Sequence, residues 1–178
     1  MWRQTVLGQY GTFELLFGAS SSRSVASLVA IRRRFRHHAW AGARLIEALE
    51  TTSAPDALRP FAHALAADQI WHRRLTGGPQ ADLAIWPALD AAGCRVLYTE
   101  TTADWRRLLE GPFDLEAAVA YQNSRGAVFE NRVGDVLDHV LMHAAHHRGQ
   151  ANVALRTAGA VPPALDFIVW VREGEPEP

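Results

Sequence analysis

The stretch Asp138-His-Val-Leu-Met-His-Ala-Ala-His-His-Arg-Gly-Gln150 concentrates the side chains that could do chemistry. It carries four of the chain's eight histidines, His139, His143, His146 and His147. His143 and His147 are four apart, so on a helix they project the same way, one turn above the other. At about 100° per residue, His139 and His146 fall at the edge of that face. Neutral imidazole is the commonest protein metal ligand. Two rings one turn apart can grip an ion but cannot fill its coordination sphere, so a third ligand must come from elsewhere; His63 is the best candidate. The competing reading is structural: a single histidine on an apolar face is usually a satisfied core residue, and a surface cluster can be inert. No acid lies between the two ligand candidates, so the motif is not the His-Glu-x-x-His of zinc proteases. Nor is there a Glu-x-x-His pair of the di-iron kind.

The elements that must position these rings are helices. The first runs from about Val25 to Glu50, with Ile31, Phe35, Ala39, Gly42, Ile46 and Leu49 on one apolar stripe. His38 borders that stripe and His37 does not; His38 is either a boundary residue or faces a core site. The second helix is expected from Asp56 to Leu75, with Pro60 in its first turn and Gly77-Gly78 as its stop. It puts His63, Ala67, Ile70 and Arg74 on one face and sends His72 to the surface. The third spans about Leu89 to Glu110, with Cys94, Leu97, Thr101, Trp105 and Leu108 inward. Val119 and Tyr121, a turn at 122–126, then Val128-Phe129 give a short β-hairpin signal. The fourth helix is expected from an Asn131 N-cap to Gly159. It buries an aliphatic stripe of Leu137, Leu141, Ala144 and Leu155 and a second, histidine-lined side. Gly149 inside it either admits a neighbour closely or is tolerated strain.

The expectation is therefore an all-α domain over residues 25–172. It is a four-helix antiparallel bundle with a small β-hairpin before the last long helix and a short C-terminal helix. Residues 1–24 read as a loosely attached extension, disordered or an artefact of the chosen start, with a docked strand or helix as the alternative. Residues 173–178 read as a disordered tail.

Composition bounds the function. Of the 178 residues, 48% are hydrophobic and 21% charged, which suits a globular domain. The net charge of −1 offers no basic surface for nucleic acid or membrane. The run Arg32-Arg33-Arg34, with Arg36, reads as a solvated helix face and not a phosphate patch. Cys94 is the one cysteine, expected as a small buried residue. No apolar run reaches the ~20 residues of a membrane span, and a cytoplasmic setting is expected.

Several segments together carry a resemblance. They are His38-Ala-Trp40; Phe61-Ala-His63 with Trp71-His-Arg-Arg-Leu75-Thr-Gly77; Tyr121-Gln-Asn-Ser-Arg-Gly126; the His143-Ala-Ala-His-His147-Arg-Gly-Gln150 piece; and Pro162-Pro163 with Asp166-Phe167. Over about residues 28–172 the chain resembles the DinB/YfiT-like superfamily of four-helix-bundle metalloproteins. The resemblance implies a divalent ion held by His63, His143 and His147, the trio that spacing suggests. It also implies a homodimer and, for some members, thiol-dependent transfer or isomerisation with a low-molecular-weight thiol such as mycothiol or bacillithiol.

Three imidazoles leave a tetrahedral ion one open position, as catalytic sites do. A water or thiol there could become a nucleophile near neutral pH, with a small electrophilic substrate entering from the bundle's open end. His139 or His146 could move protons, and Asp138 and Gln150 are weaker candidates for orienting the ligands. Zinc is the expected ion, with nickel next. The different class of reading is a non-catalytic metal-binding, stress-response or interaction module.

Overall fold

The computed structural model describes residues 20–79 and 82–178, with side chains from residue 27 onward. Residues 1–19 of the expected N-terminal extension lie outside them. The elements are α1 (Ser20–Thr51), α2 (Pro55–Thr76), α3 (Ala91–Glu110), β1 (Ala118–Gln122), β2 (Val128–Arg132), α4 (Val133–Thr157) and α5 (Phe167–Arg172). The four-helix bundle, the hairpin and the short last helix are those expected. Among the described residues no helix is long and apolar enough to cross a membrane.

The ends show local chemistry the pattern gave only roughly. α3 starts at Ala91, directly after its N-cap Asp90, whose carboxylate accepts from the Gly93 N–H at 2.8 Å. Asn131 is not the cap of α4. It belongs to β2, where its side chain accepts from the Tyr121 hydroxyl at 2.8 Å, and Arg132 takes the cap position. Because α2 already begins at Pro55, Pro60 lies inside the helix, not in its first turn. At the other end of α4, Gly159 (φ 82°) lets the Ala160 N–H reach Leu155 O and its own N–H reach Arg156 O.

Each of α1 and α2 packs against both α3 and α4, so α1 and α2 face each other across the bundle's diagonal. Phe35 meets Trp105 while the Tyr98 hydroxyl reaches Ala39 O, so α1 and α3 run antiparallel. His63 meets His147 while Trp71 meets His139, so α2 and α4 are antiparallel too. His72 lies against Trp105, while Phe61 and Leu65 share a core cluster with Cys94 and Tyr98. Thus α2 and α3 run the same way, and the segment between them is a crossover that returns along the bundle. That crossover carries Ile85 and Trp86.

The expected stripe of α1 is buried, Ile46 completely. On α4, Leu137, Ala144 and Leu155 are buried as well. The inward side of α3 is rotated slightly: Tyr98 and Leu109, not Leu97 and Leu108, join Cys94, Thr101 and Trp105. The hairpin pairs Tyr121 with Phe129. It leans on the helices through Tyr121 against Trp71 and through the Arg74 guanidinium over both rings.

The arginine run is not simply solvated. Arg32 donates to Leu109 O (2.6 Å) and Gly111 O (3.0 Å) at the negative end of α3. Arg33 and Arg36 bond Glu175, and Arg34 pairs with Asp138 at 2.8 Å. Residues 173–178, expected as a disordered tail, lie against α1 in this structure. Glu173 pairs with Arg44, and Pro176 O accepts from the indole of fully buried Trp170. His37 packs under α5, between Trp40, Phe167 and Trp170, with its ring N–H on Leu165 O.

Two glycines give opposite expectations. A Cβ at Gly42 would stand 2.8 Å from Tyr98 Cε2, whereas a Cβ at Gly149 meets nothing within 4 Å. Gly149 therefore admits no close neighbour. Gly149→Ala should stabilise by roughly 0.5–1 kcal/mol, the ordinary helix effect. Gly42→Ala should instead destabilise by about 1–3 kcal/mol through overpacking. Denaturant unfolding of the two variants checks this, and stabilisation by both would contradict the packing described.

Candidate metal centre

His63 projects from α2 and His143 and His147 from α4, at the antiparallel contact of those two helices. Ligand atoms of the three rings all lie within 4.8 Å of one another. His63 is the ring that α2 brings to the pair. His63 and His147 are buried and His143 is half-buried.

Hydrogen bonds set which nitrogen each ring presents. His63 Nδ1 lies 2.7 Å from Ile85 O, and His147 Nδ1 lies 2.7 Å from Gln150 Oε1. Both partners are acceptors, so in each neutral ring Nδ1 carries the proton and Nε2 keeps its lone pair. His147 Nε2 is 3.2 Å from His143 Nε2. Two nitrogens on one tetrahedral ion, at about 2.0–2.1 Å each, would stand roughly 3.3 Å apart. The donor set and its spacing fit a divalent ion with three nitrogen ligands and a fourth position that no His, Cys, Asp or Glu among the described residues fills.

Burial favours the neutral form of His143 and His147, the form that binds metal. It pushes His143 down to about 4, helped by His147, His63 and His139. Burial also lowers His147, against the Gln150 bond, and lowers His139, helped by Arg74. Trp86 lies flat on His63, with ring centroids 3.7 Å apart and planes 6° from parallel.

The other candidates separate. Gln150 orients His147 and donates its amide N–H to His146 Nε2 at 3.0 Å, so His146 steadies Gln150 from the solvent side. His139 lies against both His143 and Trp71. Asp138 turns instead to Arg34 on α1. His72, expected on the surface, is half-buried against Trp105, and burial lowers its pKa. Cys94 is fully buried and its thiol is pushed up to about 11, so it is no nucleophile. Spacing did not find Ile85 and Trp86, because the crossover has no period; a lone tryptophan amid Pro, Gly and Ala was the available signal.

A family model described as the DinB family matches residues 36–176. The chain belongs to the DinB family. The match spans α1 to α5 and includes all three histidines of the site. A search of curated proteins finds no match.

For the metal-free DinB chain, the His143 shift has a pH signature. A histidine lowered on folding binds its proton more readily when unfolded, so stability is full above the unfolded value of about 6.5 and falls as pH drops toward 4. The melting temperature of the metal-free protein should therefore fall between pH 6.5 and 4, and less steeply in His143→Gln. Equal slopes for the two proteins would show that His143 does not carry this penalty.

Proposed function

We propose that this DinB-family protein binds one divalent ion through His63, His143 and His147. We further propose that it acts as a metal-dependent thiol transferase or hydrolase on a small electrophilic substrate. The observation that carries the reading is the convergence of three imidazoles, two with their outer nitrogens committed to backbone or amide oxygen. An ion with an open position supplies Lewis acidity and lowers the pKa of a water or thiol ligand. Zinc is preferred and nickel is second, since all-nitrogen ligation suits both.

The protein's own groups support that chemistry. Ile85 O and Gln150 hold two rings in their ligating orientation, and Trp86 shields the face of His63 from water. His139 lies next to His143 at the solvent edge of the site, and partial desolvation with Arg74 nearby lowers its pKa, so its neutral ring can take up and return a proton. A low-molecular-weight thiol as co-substrate, a homodimer and a cytoplasmic setting belong to the same proposal.

One observation favours the second reading, a non-catalytic metal-binding module in a stress response or an interaction. The bundle's cavity of about 720 Å³ is not lined by His63, His143 or His147.

Elemental analysis should find one zinc or nickel ion per chain, lost in His143→Ala. Gln150→Ala should weaken binding about tenfold to a hundredfold, as removal of a ligand's hydrogen-bond partner does. Transfer of a thiol to an activated aryl halide should stop on chelation and return with metal. Turnover that survives both full chelation and His143→Ala would rule out the enzymatic reading. One tightly bound ion with no transfer to any thiol and electrophile tried would favour the module.

A further inference from the structure

The cavity of about 720 Å³ lies between all four long helices, and its size is that of a small-molecule site. Phe35, Phe61, Leu65 and Leu109 give it apolar walls. One side is polar and buried. Arg148 Nη1 donates to His38 Nδ1 at 2.9 Å, and His38 Nε2 in turn reaches Asp68 Oδ2 at 2.9 Å. This relay joins α4, α1 and α2 across the diagonal, and one guanidinium balances one carboxylate.

The relay leaves polar atoms over. Asp68 Oδ1, Thr101 Oγ1 and Trp105 Nε1 are buried without a hydrogen-bond partner. Their residues are 2%, 3% and 3% exposed, and all three line the cavity. Buried polar atoms without partners are rare, and three on one cavity call for an explanation. They comprise an acceptor, a hydroxyl that can do either, and an N–H donor. At the buried end Asp68 and Arg148 already neutralise each other, so a charge placed there would find no counter-charge of its own. Arg32, Arg36 and Arg106 also line the cavity, but they are engaged with Leu109 O and Gly111 O, with Glu175 and with Glu177. An uncharged guest would not meet that cost.

We propose that this cavity is a second ligand site, distinct from the three histidines. It takes a small uncharged aromatic molecule bearing a hydroxyl or ring N–H. The ligand's donor meets Asp68 Oδ1, and its acceptor meets both the Thr101 hydroxyl and the Trp105 N–H. The aromatic body lies against Phe35 and Phe61. Entry is between α1 and α3, where Glu177 stands 4.0 Å from both Arg36 and Arg106. The site is independent of the metal reading, because no proposed ligand lines it.

The test uses the full chain and 2-naphthol as probe, followed by titration calorimetry with and without zinc. One molecule should bind in either condition, and in His63→Ala as well. 2-Methoxynaphthalene, which cannot donate, should bind about three- to tenfold more weakly, as should charged 2-naphthoate. Leu65→Trp, which fills the cavity, should abolish binding. Thr101→Val, nearly isosteric, should weaken it about three- to tenfold and serves if the larger variant fails to fold. No binding to the wild-type chain, loss of binding in His63→Ala, equal affinity for the methoxy ether, or no effect of either cavity variant would each overturn the proposal.

Discussion

The antiparallel contact of α2 with α4 is the constraint on which the rest of this molecule depends. It places His63 opposite a helical pair whose two rings are fixed in register by the helix itself. Helix packing alone would leave each ring free to present either nitrogen. The choice is made by two acceptors, Ile85 O from the crossover and Gln150 one turn along α4. One comes from outside the two helices, so the site is complete only when the crossover lies along the bundle. The parallel run of α2 and α3 is what requires such a crossover.

Placing so many nitrogen groups in and beside a core has an energetic cost, and the surrounding polar groups show how it is offset. Arg148 follows directly after His147 yet points to the bundle centre, where desolvation lowers its pKa to about 10. It is tolerated because His38 relays it to Asp68. Breaking one member of such a chain leaves a buried charge without its partner, which is costlier than never having had the pair. The arginines of α1 are similarly absorbed, by the carbonyls ending α3 and by the glutamates after α5. Those contacts tie the C-terminal residues to the body, and Trp170 is buried against Trp40 and Ala41 beneath them.

Much of this was legible in the sequence because helices report burial through a fixed period. The α1 stripe, the aliphatic side of α4 and the register of His143 with His147 all follow from residues three and four apart, whereas His63 is a candidate for its place on the inward side of α2 and for the family resemblance. What escaped lies where no period operates. Asn131 looked like a helix cap because asparagine caps well, but the strand took it first. His37 falls off the α1 stripe and His72 seems to face solvent because the elements that cover them, α5 and α3, are distant in sequence. Asp68 does carry a sequence signal, an acid next to residues 64–67 on a helix that is otherwise buried there. Its partners, His38 and Arg148, sit on two other helices, and only tertiary structure brings them together.

X-ray absorption at the metal edge of the zinc-loaded protein reads the ligand set of the three-histidine site itself. Three imidazole nitrogens at about 2.0–2.1 Å and one water oxygen that added thiol replaces with sulfur, changing the spectrum, are expected. Two or fewer imidazoles, or a closed shell that added thiol leaves untouched, would contradict that expectation.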